Sequence, residues 1–174
     1  ISDLGAVFRW SNGSTLISWN HLYTKLSKRF QPARKYYNGH YPSGTAFYNQ
    51  SVGFSSVYRS KKIAGELAFD QHFNPAINLS FVGEIVEEVS YGVLYRNYHT
   101  KHQAFRGKSY QRKGILQGET GLASKVKIGL IKNSSIDVML DIFRFPNMKY
   151  RTRFLSYGID RMFHLKYQIN DNEL

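Results

Sequence analysis

Carboxylates, histidines and arginines are the residue types that could do chemistry in this chain, because it contains no cysteine. Disulfides, thiolate nucleophiles and cysteine-ligated metal sites are therefore excluded. Asp137 and Asp141 are a candidate pair of catalytic carboxylates. Four residues of extended strand separate their Cα atoms by about 13 Å. That separation is too long for a shared-proton dyad and wide even for the two acids of an inverting glycosidase.

Serine and histidine residues do not form a recognisable catalytic or metal-binding group either. Ser134 and Ser156 lie in predicted loops, with no histidine placed by the sequence to activate them. His99 and His102 are the one close histidine pair, and a loop pair without further ligands is weak evidence for a metal. We therefore expect no catalytic residues, no cofactor and no metal, and the chain is not predicted to be an enzyme.

Arg96 is better explained by charge pairing than by catalysis. It lies on the polar face of a predicted strand and could pair with Glu119, Asp137 or Asp141 on neighbouring strands. The glycines of the segment Gly118–Gly121 are expected to leave room beside a bulky neighbour. Interleaved charges of this kind either fill a small barrel as salt bridges or line a polar channel.

The elements that position these residues are predicted to be β-strands. Apolar and polar residues alternate with period two along the chain, no window carries a helical apolar stripe, and tyrosine and phenylalanine are abundant. In the clearest strand, Ile136, Val138 and Leu140 alternate with Asp137 and Asp141. The nine predicted strands are residues 4–10, 14–27, 48–59, 62–72, 76–82, 89–98, 117–131, 136–143 and 157–169.

The connections between the predicted strands alternate in length. Short turns are predicted at Asn12, Ser60, Gly83 and Lys132, a modest break at Phe73, and long loops at Lys28, His99 and Arg144. Strands of about ten residues match the ~9–11 that a tilted strand needs to cross a bilayer. Outer-membrane barrels combine short turns at one end, longer loops at the other and an apolar outward face, whereas a soluble sandwich would rarely keep such asymmetry.

The fold predicted from these patterns is all-β, an antiparallel up-and-down transmembrane β-barrel of the outer-membrane type. Bacterial single-chain barrels close with even strand numbers, so about nine strands indicate a partial barrel. Residues 1–174 are accordingly expected to be a single barrel portion, with upstream strands and an N-terminal region missing. The sequence contains no stretch of 18 or more apolar residues, so no transmembrane helix is predicted. The charged residues expected to face the lumen are Glu66, Asp70, Arg96, Glu119, Lys125, Asp137 and Asp141.

Positive charge is concentrated in the long loops. The chain has 24 lysines and arginines against 12 acidic residues, and residues 28–46, 99–113 and 144–156 hold four, five and four of the basic ones and no acidic one. This cationic rim suits a polyanion such as lipopolysaccharide phosphate, acidic polysaccharide or nucleic acid, or it is a solvated face against lipid head groups. The basic outer-loop residues singled out are Arg34, Lys35, Arg106, Lys108, Arg144, Lys149 and Arg151.

Three segments in the second half of the chain resemble one protein family. They are SYGVLYRNYHTKHQAF (Ser90–Phe105), LDIFRFPNMKYR (Leu140–Arg151) and SYGIDRMFHLKY (Ser156–Tyr167). In order and spacing they are similar to the C-terminal barrel of large Bacteroidota outer-membrane proteins that carry an N-terminal helix-hairpin-helix region of the competence type. Residues 47–88 fit more loosely and residues 1–46 add little. The resemblance implies a membrane barrel in the bacterial outer membrane and transfers no catalytic or ligand-binding residue.

These observations predict a non-enzymatic integral outer-membrane barrel with a role in passage or docking at the cell envelope. Its partners would be membrane lipid, including lipopolysaccharide, and a polyanion at the long-loop face. The alternative hypothesis is a soluble, basic, all-β nucleic-acid-binding module, in which the aromatic side chains stack on bases. That rival predicts solubility without detergent and DNA binding with a steep salt dependence. An outer-membrane hydrolase would need a nucleophile–base contact that the sequence does not place.

Overall fold

The computed structural model of the chain describes residues 1–30, 44–102, 118–131, 134–146 and 155–167. Within these residues the protein is all-β, with nine strands and no helix. The described part accordingly offers no helical segment with the length and apolar character of a membrane span. The strands are β1 (Ser2–Ser11), β2 (Thr15–Phe30), β3 (Gly44–Tyr58), β4 (Lys61–Asp70), β5 (Pro75–Val86), β6 (Val89–Tyr98), β7 (Glu119–Ile131), β8 (Ser134–Arg144) and β9 (Tyr157–Tyr167).

The nine strands form one antiparallel sheet in which every strand bonds only to its neighbours in the chain. The order runs from β1 to β9, so the predicted all-β, up-and-down architecture is confirmed. β1 and β9 are the two edges, and the sheet is open between them in the part of the chain that the structure describes.

The connections are sorted by length between the two ends of the sheet. Because successive strands run in opposite directions, the strand ends joined by the shortest stretches of sequence, β1 to β2, β3 to β4, β5 to β6 and β7 to β8, all lie at one end of the sheet. The strand ends joined by longer stretches, β2 to β3, β4 to β5, β6 to β7 and β8 to β9, lie at the other end. We call these the short-turn end and the long-connection end. The predicted alternation is confirmed, and residues 71–74 are the modest break expected at Phe73.

β5 is longer than the sequence indicated. It was expected to end at Val82 with a turn through Gly83–Glu88, but it continues to Val86. Gly83 lies in the ladder opposite Tyr91, and a Cβ added there would lie 3.0 Å from the Tyr91 hydroxyl oxygen. The glycine therefore makes room for a neighbouring ring instead of turning the chain.

β4 is shorter than predicted, because the chain turns earlier. It ends at Asp70 instead of His72. The backbone amides of His72 and Asn74 donate to Asp70 Oδ1 at 2.8 and 2.9 Å. A carboxylate that accepts bonds from amides two and four residues ahead closes a turn and ends the strand.

The two faces of the sheet differ in burial and polarity. The inner face, defined by Arg96 and the residues in register with it, carries the buried charged side chains, whereas the outer face carries most of the exposed large apolar ones. Because the described residues form a single layer, side chains on one face can be this buried only if the sheet curls around them. Outer-face residues exposed in this way include Leu4, Phe8, Trp19, Val52, Leu67, Leu79, Val93, Leu122, Val138, Leu140, Ile159 and Phe163.

The strands are staggered along the sheet. A continuous row of paired residues begins at Trp10, next to the short-turn end of β1, and finishes at Ile159, near the long-connection end of β9. The row therefore drifts by about one residue per strand. Each strand is therefore offset by ~3.3 Å along its length for every ~4.8 Å step to the next strand. This offset corresponds to a strand tilt of about 35° relative to the axis around which the sheet curls.

Candidate functional site

The candidate site is the charged inner face of the sheet. The register places on this one face all seven charged residues predicted to share it: Glu66, Asp70, Arg96, Glu119, Lys125, Asp137 and Asp141. Arg96 joins Glu119 and Asp141, and Lys125 joins Asp137. Asp70 holds the turn that follows β4, and Glu66 lines a separate cavity.

Arg96 of β6 is the centre of a buried ion network that spans three strands. Its Nε donates to Glu119 Oε1 at 2.6 Å, at the start of β7. Its Nη1 and Nη2 donate to the two carboxylate oxygens of Asp141 on β8 at 2.9 and 3.1 Å. The side chains of Arg96 and Asp141 are 0% exposed and that of Glu119 is 3% exposed. Short, bidentate, charge-assisted bonds of this kind are the stronger hydrogen bonds in proteins.

Gly121 lets the guanidinium cross β7. It pairs directly with Arg96 in the β6–β7 ladder, between Arg96 and the strand that carries Asp141. A Cβ added to Gly121 would lie 2.5 Å from Arg96 Cζ and 2.6 Å from its Nη2. The side chain of any other residue would therefore displace the guanidinium, which explains the expected need for room in the segment Gly118–Gly121.

Tyr98 extends the network towards β5 and was not singled out from the sequence. Its side chain is 1% exposed, and its hydroxyl donates to Asn78 Oδ1 at 2.7 Å. Asn78 is the cross-strand partner of Arg96. Tyr98 is two residues from Arg96 on the same strand. The period-two alternation that placed Arg96 on the polar face therefore also places Tyr98 there, and it could have identified Tyr98 from the sequence.

Asp137 forms a second group with lysines instead of pairing with Arg96. Lys125 Nζ donates to Asp137 Oδ2 at 2.9 Å, and Lys166 Nζ lies 3.6 Å from the same oxygen. Asp137 is buried, whereas both lysine side chains are about half exposed. Asp137 Oδ1 has no hydrogen-bond partner among the described residues. Lys166 lies on the inner face of β9 and was not singled out from the sequence.

Glu66 and Asp70 have different surroundings. Glu66 is exposed and lines a cavity of about 330 Å³ with Ser18, Asn20 and Gly53. Asp70 is buried and holds the turn that follows β4, where it also accepts two bonds from the Asn74 side chain. The Asn74 Nδ2 group donates to the Lys101 carbonyl at 3.3 Å, which ties this turn to the segment after β6.

Of the basic outer-loop residues, only Arg144 is described. It is the last residue of β8, exposed at the long-connection end. The other six lie outside the described residues: Arg34, Lys35, Arg106, Lys108, Lys149 and Arg151. The predicted cationic rim therefore stays a prediction.

The histidines considered as metal ligands make hydrogen bonds within the protein. A ring nitrogen of His102, which is buried, lies 2.7 Å from the Asn74 carbonyl oxygen, and His99 Nδ1 accepts from the Lys101 amide at 3.3 Å. The described ranges contain no group of three or more potential ligands suited to a metal ion. Asp137 of β8 and His164 of β9 are cross-strand partners. This proximity was not identified from the sequence, in which the two residues are far apart. The expectation of a non-enzymatic chain without cofactor or metal stays a prediction.

Comparison with known proteins adds no relative to this description. No protein-family model, no curated protein and no solved structure matches the chain. The resemblance to the Bacteroidota barrel family is therefore still an expectation from the sequence.

Proposed function

We propose that the chain is a portion of a non-enzymatic integral β-barrel protein of the bacterial outer membrane, with a role in passage or docking at the cell envelope. The observation that carries this proposal is the outer face of the sheet. There Val138, Leu140 and Ile142 of β8 are 44%, 38% and 47% exposed, while Asp137 and Asp141 of the same strand are buried. An apolar face exposed opposite a polar, ion-paired face is the polarity expected of a strand between lipid and lumen.

The exposed apolar face extends across all nine strands, which argues for a lipid environment. Monomeric soluble proteins rarely expose contiguous apolar patches larger than a few hundred Å². Each Å² of apolar surface left in water costs about 25 cal/mol relative to burial. Acyl chains would remove that cost on the outer face, and the inner face would keep its charges paired or in contact with water.

The geometry of the strands is also suited to a bilayer. Strands of 10 to 16 residues are at least as long as the ~9–11 residues that a tilted crossing requires. The lean of about 35° derived from the register agrees with the tilt of ~35–45° in outer-membrane barrels. Short connections at one end and longer ones at the other fit the periplasmic and extracellular sides of such barrels.

The proposal requires partners for β1 and β9. An unpaired strand edge in hydrocarbon leaves backbone groups unsatisfied at a cost of several kcal/mol each. We infer that these edges bond to each other or to further strands of the same protein in the membrane. Lipid, including lipopolysaccharide, would contact the outer face, and a polyanion would meet the cationic long-connection end. The Bacteroidota family with the helix-hairpin-helix region is the proposed origin of the barrel.

The proposal is tested by the environment of two adjacent residues on opposite faces. Residues 1–174 contain no cysteine. Val138→Cys or Met139→Cys, introduced into the full-length protein, therefore gives this part of the chain a single site for bimane labelling. Val138 lies on the outer face and Met139 on the inner face. In vesicles of brominated phosphatidylcholine, quenching is expected for the label at position 138 and much less at position 139.

Equal quenching of the two labels would contradict the proposed orientation. Recovery of the full-length protein in the soluble fraction without detergent would contradict membrane residence. A soluble protein whose DNA affinity falls steeply with salt would establish the rival nucleic-acid-binding module.

A further inference from the structure

A cavity of about 630 Å³ opens at the short-turn end of the sheet, away from the Arg96 network. Strands β5, β6, β7, β8 and β9 all contribute to its wall. The residues that line it are Glu84, Glu87, Glu88, Ser90, Lys127, Gly129, Ser134, Ser135, Lys166 and Tyr167. Its volume lies in the range of about 300–1,000 Å³ that is typical of small-molecule sites.

The cavity is lined by acidic and basic side chains from different strands. Glu84 of β5 and the turn residues Glu87 and Glu88 form an acidic wall, while Lys127 of β7 and Lys166 of β9 form a basic one. Among the described residues, no ion pair within 4.0 Å joins these three glutamates to either lysine. Lys166 Nζ lies 3.6 Å from Asp137 Oδ2. Among the described residues, the acidic and basic side chains of the cavity are therefore not paired with each other.

The turn that carries Glu87 and Glu88 is held against β7 by the backbone. The Gly129 amide donates to the Glu88 carbonyl at 2.7 Å, which ties the β5–β6 turn to β7. A Cβ at Gly129 would lie 3.3 Å from Glu88 Cβ, so glycine allows this close approach. Glu84 and Lys127 are both cross-strand partners of Ser90. Two strand spacings separate their backbones by about 10 Å, close to the length of three extended residues.

We propose that this cavity binds a zwitterionic ligand of the size of an amino acid or short peptide. The ligand ammonium group would face the glutamates and its carboxylate would face Lys127 and Lys166. The hydroxyl of Ser90, which lies between Glu84 and Lys127 in the ladder, can donate to a carboxylate or accept from an amide. This assignment goes beyond the envelope role proposed above, because it concerns ligand chemistry at one end of the inner face.

The balance of charge favours a zwitterion over a simple ion. An anion attracted by two lysines would be repelled by three glutamates, and a cation would meet the reverse arrangement. Only a ligand with both charges gains at both walls and is repelled at neither.

Three tripeptide probes test the assignment on the folded full-length protein in detergent micelles. Trialanine carries both end charges, N-acetyl-trialanine carries only the carboxylate, and trialanine amide carries only the ammonium group. Isothermal titration calorimetry is expected to show that trialanine binds about three- to tenfold more tightly than either blocked probe. Each blocked probe loses one charged contact, and a partly exposed contact of this kind contributes about this much.

Substitutions at the two walls identify which end each one recognises. Lys127→Gln is expected to weaken trialanine binding about three- to tenfold and not to weaken trialanine amide, because the amide loses a repulsive charge and no attractive one. Glu84→Gln is expected to weaken trialanine binding and not to weaken N-acetyl-trialanine, because the acetylated probe loses a repulsive charge and no attractive one. Both side chains are exposed, so folding is expected to be preserved. Lys61→Gln, an exposed lysine at the same end but on the outer face, is the matched control with no expected effect.

Either of two results would overturn the assignment. One is equal affinity for trialanine and N-acetyl-trialanine, which would show that the ammonium group is not recognised. The other is no binding of trialanine at millimolar concentration by a protein that is folded in micelles. Because bimane quenching in vesicles is a separate readout, failure here is distinguishable from failure of the membrane proposal.

Discussion

Replacement of Arg96 by methionine is expected to be one of the most destabilising single changes on the inner face. It removes three charge-assisted bonds of 2.6, 2.9 and 3.1 Å from the carboxylates of Glu119 and Asp141. Those carboxylates are 3% and 0% exposed, so water does not replace the guanidinium. Removal of one partner from a buried ion pair costs about 3–5 kcal/mol of unfolding free energy.

Lys125→Met is the matched comparison for this change. It also removes a cation from an inner-face carboxylate, but the Lys125 side chain is 47% exposed and Lys166 remains within 3.6 Å of Asp137. An exposed ion pair contributes about 0–1 kcal/mol. The structure therefore predicts a difference of at least about 2 kcal/mol between two substitutions that change the net charge equally.

Urea unfolding of the full-length protein in detergent micelles, followed by tryptophan fluorescence, measures both free energies. The network hypothesis is refuted if Arg96→Met destabilises the protein no more than Lys125→Met. A second variant protects the test against simple misfolding. Adding Glu119→Gln and Asp141→Asn to Arg96→Met removes the buried negative charges and is expected to restore part of the lost stability, because an uncompensated buried charge costs more than a buried neutral amide.

Substitutions at Leu140, Gly121 and Asp70 test the outer face, the space beside Arg96 and the turn between β4 and β5. Leu140→Arg places a charge on the outer face and is expected to cost about 2–4 kcal/mol in lipid and to abolish heat-modifiable migration, whereas Met139→Arg on the inner face should fold normally; equal migration of the two would contradict the assigned faces. Gly121→Val should push the guanidinium away from β7 and cost about 1–3 kcal/mol in urea unfolding, with no change indicating a relaxed network. Asp70→Ala should remove the bonds that hold the β4–β5 turn and cost about 1–3 kcal/mol, visible as faster amide exchange at His72 and Asn74; unchanged exchange would show that the turn closes without the carboxylate.

The faces of the strands were predictable because they depend only on local alternation. β6 has the predicted bounds of 89–98, and Arg96 and Asp141 lie on the predicted face. A side-chain period of two survives errors of a few residues at strand ends, since inner and outer positions do not change when a strand is lengthened. This explains why seven charged residues could be assigned to one face before any pairing was known.

Turn positions and pairing partners were harder to predict, because they depend on neighbours across the sheet. Gly83 was interpreted as a turn residue, but it belongs to β5 and accommodates the Tyr91 ring. Arg96 had three candidate acids in the sequence, and the stagger of the strands together with the open space at Gly121 determines which two it reaches. Neither fact is encoded in a single stretch of sequence.

The strictly sequential order of the sheet has a consequence for how the protein can be assembled and altered. Each backbone ladder joins segments that are adjacent in the chain, so hairpins can form one after another and the early contacts are local. A hairpin could be added or removed at either edge of the sheet without changing the hydrogen-bonding partners of the other strands. The bond from Arg96 to Asp141 joins residues 45 positions apart and reaches across an intervening strand, so it links two successive hairpins into one cooperative unit.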